Sequence, residues 1–196
     1  MEIRSIVVTG VGGQGQITIG TILGQALLRK GYNVRVGEVH GLSQRGGSVV
    51  VFVKYGKGVP SPIVTAGEAD ALIGLEMIES LRRVPLVSRD GLLIVNEFFL
   101  PPPASKPVSR KDVEDALKSI GTKTVFINAN ELALKAGSQI ASNIVMVGAL
   151  VGSGKVDLTL EDVSNVLSER FKGKTLEINM NALRMGYEYV TSQGGL

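Results

Sequence analysis

The stretch VVTGVGGQGQITIGTILGQALLRKG, residues 7–31, constrains the fold more than any other part of the chain. The β-branched run over residues 3–9 predicts a buried parallel strand. Over residues 16–29, Ile19, Ile22, Leu23, Ala26 and Leu27 keep a helical spacing. Gly31 then stands where a helix ends. Between strand and helix, Gly10-Val11-Gly12-Gly13-Gln14-Gly15 satisfies G-x-G-x-x-G. Such a turn exposes backbone N–H groups, and the helix dipole favours an anion beside them. In a dinucleotide site, Gly10 would permit the tight turn, Gly12 the close approach of a phosphate, and Gly15 helix–strand packing. Glu38, near the end of a second strand over residues 33–39, would take the ribose hydroxyls. A turn that merely packs explains the same glycines equally well.

The next segment, EVHGLSQRGGSVVVFVKYG, departs from a plain dinucleotide-binding order. Residues 41–47 are too few for a crossover helix. The third strand, 48–55, therefore either runs antiparallel to the second or sits elsewhere in the sheet. Ser43, Gln44 and Arg45 precede the Gly46-Gly47 pair. An arginine there can fork onto a phosphate or carboxylate; the competing reading pairs it with a nearby acid. His40, the sole histidine, reads first as a structural hydrogen-bonder.

Further strands are expected over 69–75, 92–96 and 123–128, with helices over 76–84, 109–120 and 131–136. Ser109 with Asp112, and Thr159 with Asp162, have the spacing of capping boxes with Asp in place of Glu. Residues 138–152 predict a buried helix, apolar on most faces. A final helix is expected over about 174–190. Pro101-Pro102-Pro103 predicts a stiff polyproline II connector. The 196 residues thus read as one α/β domain. The architecture expected is a three-layer α/β/α sandwich, Rossmann-like, with a mixed, mostly parallel sheet and C-terminal helices over about 159–190.

Composition removes several classes of chemistry. There is no cysteine, hence no disulfide, thiolate metal site, Cys-ligated iron–sulfur cluster or nucleophilic thiol on this chain. Aromatics make up 5% and Trp is absent, which argues against nucleic-acid stacking platforms. The net charge of +3 is a mild bias towards anions. No signal segment or span-length apolar run stands out, so a cytosolic setting without membrane contact is expected.

GVGGQG together with EVHGLSQRGGSV resembles the γ-type subunits of 2-oxoacid:ferredoxin oxidoreductases, and among these the β subunit of the indolepyruvate enzymes. GEADALIGLEMIESLR and LLIVNEFFLPP sit where that family has similar segments. Ile17-Thr18 depart from the small-aliphatic pattern common after Gln16. The resemblance implies a component of an oxidative decarboxylase, which converts a 2-oxoacid and coenzyme A to an acyl-CoA, CO2 and reduced ferredoxin. Thiamine diphosphate, Mg2+ and iron–sulfur clusters would then lie on a larger partner subunit, since this chain has no Gly-Asp-Gly thiamine segment. No catalytic residue, metal or firmly bound cofactor is expected here, and the chain alone is expected to be inactive. Gly10, Gly12, Gly13, Gln14 and Gly15, with Ser43, Gln44, Arg45, Gly46 and Gly47, would line a cleft for coenzyme A phosphates or for the partner. Glu38 and His40 would contribute to it. A partner-facing surface is expected at 10–15, 41–47 and the 138–152 helix, with self-association of the chain expressed alone. Two alternatives stand beside this reading: a small NAD(P)- or flavin-dependent oxidoreductase, and a stand-alone coenzyme A- or nucleotide-binding module.

Overall fold

The computed structural model describes residues 2–41, 46–101 and 108–192. Its sheet has six strands: β1 (Arg4–Val11), β2 (Asn33–His40), β3 (Ser48–Gly56), β4 (Ala69–Gly74), β5 (Val87–Asn96) and β6 (Lys123–Ile127). Their spatial order is β2-β3-β1-β4-β5-β6. β3 runs antiparallel to both β2 and β1, and the other pairings are parallel. The short link over 41–47 forces this arrangement. It folds the chain straight back, and β3 slots between the two strands that α1 (Gln16–Arg29) connects.

Helices cover both faces. α1, α4 (Ala129–Ala136), α5 (Ser142–Gly152), α6 (Leu160–Arg170) and α7 (Gly173–Thr191) form one layer, with Ile6, Val8, Ile73 and Ile94 from the sheet. α2 (Met77–Arg83) and α3 (Arg110–Ser119) form the other, against Val7, Leu72, Leu93 and Val95. Alternate residues of each strand feed the two cores, as the pleat requires. The sheet is therefore buried on both faces, and its central strands β1 and β4 are mostly apolar, with Ser5 and Thr9 buried among them.

The local signals act as expected at several ends. Ser109 and Thr159 each make both capping-box hydrogen bonds with Asp112 and Asp162. Gly31, at φ 86°, follows the Lys30 C-cap of α1 in the left-handed conformation. Two expectations need correction. The 138–152 segment is a 3₁₀ turn at Gln139–Ala141 followed by α5, not one helix. β5 starts five residues earlier than the apolar run suggests, because Val87 pairs with Ala69 across a register shift from the Ala71–Leu92 pair. Pro102 and Pro103 lie outside the described residues, and the polyproline expectation with them. No described helix is long and apolar enough to cross a membrane.

Candidate functional site

The glycine turn sits at the C-terminal ends of the parallel strands, where α/β sheets commonly bind ligands. Helices leave the sheet on opposite faces after β1 and β4, so a crevice opens between these strands. Here Gln14 fills it. Its Oε1 accepts the Val11 N–H at 2.7 Å, and its Nε2 donates to the Leu75 carbonyl at 3.1 Å. Gln16 Nε2 donates to the Val11 carbonyl at 2.9 Å. The turn therefore spends its own amides where a dinucleotide would be recognised.

The glycines divide their work differently from the dinucleotide expectation. Gly10 is not the turn residue: it lies within β1, opposite Val49. A Cβ there would meet Gln14 Oε1 at 2.6 Å and Gln16 Nε2 at 2.7 Å, so Gly10 makes room for the two folded-back amides. Gly12 donates its N–H to the Gly47 carbonyl at 2.8 Å. Gly13 carries the turn at φ 106°. Gly15, at φ 91°, is the residue before the first turn of α1. Its close neighbour is Asn143 of α5, not a strand residue: a Cβ on Gly15 would lie 2.4 Å from Asn143 Nδ2.

α1 begins with no side-chain cap and no acid in its first turn. Its leading N–H groups face a depression of about 460 Å³ lined by Gly12, Gly13, Gly15–Thr18, Glu38, His40 and Val49. β2 brings the last two there. Val36 packs on Gly20 and Gly24 of α1, and Glu38 and His40 follow at alternate positions past the helix start. His40 Nε2 lies 3.0 Å from Glu38 Oε1, an ion pair when the imidazole is protonated. The structure thus joins Gly12–Gly15, Glu38 and His40 in one place. It has Gln14 and Gly10 supporting the turn from below.

Ser43, Gln44 and Arg45 lie outside the described residues. The two ends of their link are fixed at the glycine turn. Gly41 N–H donates to the Ser48 carbonyl at 3.0 Å, and Gly47 receives the Gly12 N–H. Ser48 Oγ donates to Glu79 Oε2 at 2.5 Å, and Arg83 Nη2 stands 3.4 Å from Ser48 Oγ. This tie to α2 anchors the start of β3. Gly46 carries φ 77°.

Two supports were not singled out from the sequence. Asn96, at the end of β5, donates to the Leu75 carbonyl at 3.2 Å and accepts the Ala129 N–H at 3.0 Å. Glu76 is wholly buried and accepts the Glu79 N–H at 2.8 Å and the Leu100 N–H at 2.9 Å. Burial pushes its carboxyl above the usual range despite these bonds, and the Glu79 carboxylate adds to the rise. The sequence signal for both is a polar residue closing an apolar strand. The 138–152 expectation for a partner surface is corrected. α5 is buried from Asn143 to Val151, and only the turn before it faces out, with Ile140 88% exposed. Among the described residues no group of three or more His, Asp or Glu is placed to hold a metal ion.

Known proteins match this chain along nearly all of its length. The family model for pyruvate ferredoxin/flavodoxin oxidoreductase matches residues 5–189. Indolepyruvate oxidoreductase subunit IorB of Thermococcus kodakarensis is 37% identical, covering all of both chains. The pyruvate oxidoreductase subunit PORC of Thermotoga maritima shares the fold with TM-score 0.74 at 23% identity, over 96% of this chain and 97% of that one. A 2-oxoglutarate:ferredoxin oxidoreductase chain of Magnetococcus marinus, solved with 2-oxoglutarate, coenzyme A and succinyl-CoA bound, shares it too. The TM-score is 0.75 at 18% identity, covering 98% of this chain and 32% of that one. The chain belongs to the pyruvate ferredoxin/flavodoxin oxidoreductase family, as a subunit of a 2-oxoacid oxidoreductase.

Proposed function

We propose that this chain is the non-thiamine subunit of an indolepyruvate:ferredoxin oxidoreductase. With its partner it oxidatively decarboxylates the 2-oxoacid and transfers the acyl group to coenzyme A, reducing ferredoxin in the cytosol. The likeness to IorB supports the substrate. The absence of cysteine supports a division of labour, with clusters, thiamine diphosphate and Mg2+ on the larger subunit. The chain contributes no catalytic group. It supplies a floor at the uncapped start of α1, and Ser43, Gln44 and Arg45 are the side chains proposed to complete the site.

The observation that carries this reading is the Gly12 N–H to Gly47 carbonyl bond at 2.8 Å. It brings the ends of an arginine-bearing polar segment to a helix start that favours anions. Coenzyme A phosphates are the anions proposed there. The plugged crevice between β1 and β4 argues against the nicotinamide alternative.

The test compares the full chain alone with the chain plus its thiamine-bearing partner in indolepyruvate-dependent dye reduction. Turnover is expected only with both. Arg45→Lys keeps the charge but loses the two-pronged contact. In the complex it is expected to raise the coenzyme A requirement tenfold to hundredfold, as loss of about 1.5–3 kcal/mol of charge-assisted bonding implies. The melting temperature should barely move. Turnover by the chain alone, or micromolar NADH binding, would overturn the assignment.

A further inference from the structure

A second cleft, of about 330 Å³, lies beside the glycine turn. Thr18 of α1, the Gln139–Ala141 turn, the first residues of α5 and the α6–α7 corner line it. Ile140, Ile144, Phe171 and Ile178 give it apolar walls, and no acidic side chain lines it. Two helices start at its edge. α5 and α7 both begin without a side-chain cap and without an acid in the first turn. Their leading N–H groups make the local field positive.

Asn143 puts a polar group into the apolar wall. It is only 8% exposed, it lines the cleft, and its side-chain amide has no hydrogen-bond partner among the described residues. The amide atoms are not closed off from solvent, so they stand open to the cleft as unused hydrogen-bonding groups. Arg170 adds charge at the rim. Its guanidinium lies 5.9 Å from the centre of the Phe171 ring and makes no ion pair among the described residues. The cleft thus offers a cation, an amide and free backbone donors above an apolar floor.

We propose that this cleft binds a small organic anion: an apolar body against Ile140, Ile144 and Phe171, and a carboxylate or phosphate held by Asn143, Arg170 and the first turn of α7. Its volume suits a ligand with one ring. The site adjoins the depression at the start of α1, with Thr18 common to both linings, and does not rest on the function proposed above.

Titration of the 15N-labelled full chain tests it, with phenylacetate, inorganic phosphate and the neutral phenylacetamide as probes. Phenylacetate is expected to shift the Asn143 side-chain NH2 and the Arg170 and Thr175 amides saturably. Phenylacetamide should bind at least tenfold more weakly. Arg170→Gln, on an exposed side chain, and Asn143→Ala should each weaken phenylacetate at least tenfold, and Arg170→Gln should leave the melting temperature unchanged. A phosphate-bearing natural ligand is indicated where phosphate shifts the same amides and competes with phenylacetate, and a carboxylate where it does neither. Equal binding of the neutral amide, shifts confined to residues 12–18, unchanged binding in Arg170→Gln, or no saturable shift with phenylacetate would each overturn the proposal.

Discussion

Gly15 shows how a motif can be legible while its meaning is not. The G-x-G-x-x-G spacing locates the turn, and the turn is where the spacing puts it. Its roles are redistributed because two glutamines, Gln14 at a free position of the motif and Gln16 just past it, occupy the donors and acceptors. Nothing in the spacing reveals that Asn143, far along the chain, would sit against Gly15. The consequences are testable. Gly15→Ala forces a side chain into φ 91° and against Asn143 Nδ2 at 2.4 Å. Gly13→Ala meets open space and carries only the backbone strain, about 1–2 kcal/mol. Gly15→Ala is expected to lower the melting temperature clearly more than Gly13→Ala, at about 2–4 °C per kcal/mol for a chain of this length. Equal losses would mean that Asn143 yields freely. Glu76 supplies a second case at this scale. Its carboxyl is held above its ordinary 4.5 by burial. The folded state therefore binds the proton more tightly than the unfolded chain, and stability falls as pH rises from about 4.5 through the raised value. Glu68 acts the other way. Burial would raise it, but Lys54 and Thr65 outweigh that and hold it low, so its contribution is lost as pH falls below 4.5. Urea midpoints across pH 4.5–8 should slope downward in the parent and flatten in Glu76→Gln. An unchanged slope would remove Glu76 as its source.

Elements were legible where local chemistry decides them. The capping boxes fixed the starts of α3 and α6, and the short 41–47 link left β3 few places to go. The 138–152 segment was legible as buried but not as broken, since its interruption at Ala141 answers to packing rather than to a Pro or Gly. Least legible was the crossing of α5 and α7. Glycines in mid-helix lower helix propensity, and here their reason is a partner distant in sequence. A Cβ on Gly186 would lie 1.9 Å from the Val145 carbonyl oxygen, and one on Gly148 2.0 Å from that of Leu183. The two backbones touch at both places, so neither can give way without separating the helices. Gly186→Ala is expected to cost about 3 kcal/mol or more, at the upper end of overpacking penalties. Thermal melting checks it: a midpoint within 2 °C of the parent, on the order of 1 kcal/mol or less, would show that the helices re-pack.

At the scale of the whole molecule, the candidate site residues gather at one end of the sheet. The glycine turn, the anchored ends of the 41–47 link, Asn96 and the Gln139–Ala141 turn all lie at or beyond the C-terminal ends of β1, β3's start and β5. That end exposes Ile17 and Ile140, the latter at 88%. A large apolar side chain so exposed, beside a buried apolar helix, suits the centre of a contact with the proposed thiamine-bearing partner, where a few anchors dominate binding. Hydrogen exchange of this chain with and without that partner should show protection at residues 12–18, 46–49 and 139–142. The opposite end of the sheet, around residues 57–67 and 153–159, should exchange alike in both. Ile140→Asp places a charge at the anchor without touching the core. It is expected to weaken the complex by more than tenfold, the scale of a hot-spot loss of about 2 kcal/mol, while leaving the melting temperature of the chain alone in place. Protection confined to residues 57–67 and 153–159, with full assembly by Ile140→Asp, would mean that the partner approaches from the other end and that the glycine turn faces solvent in the complex.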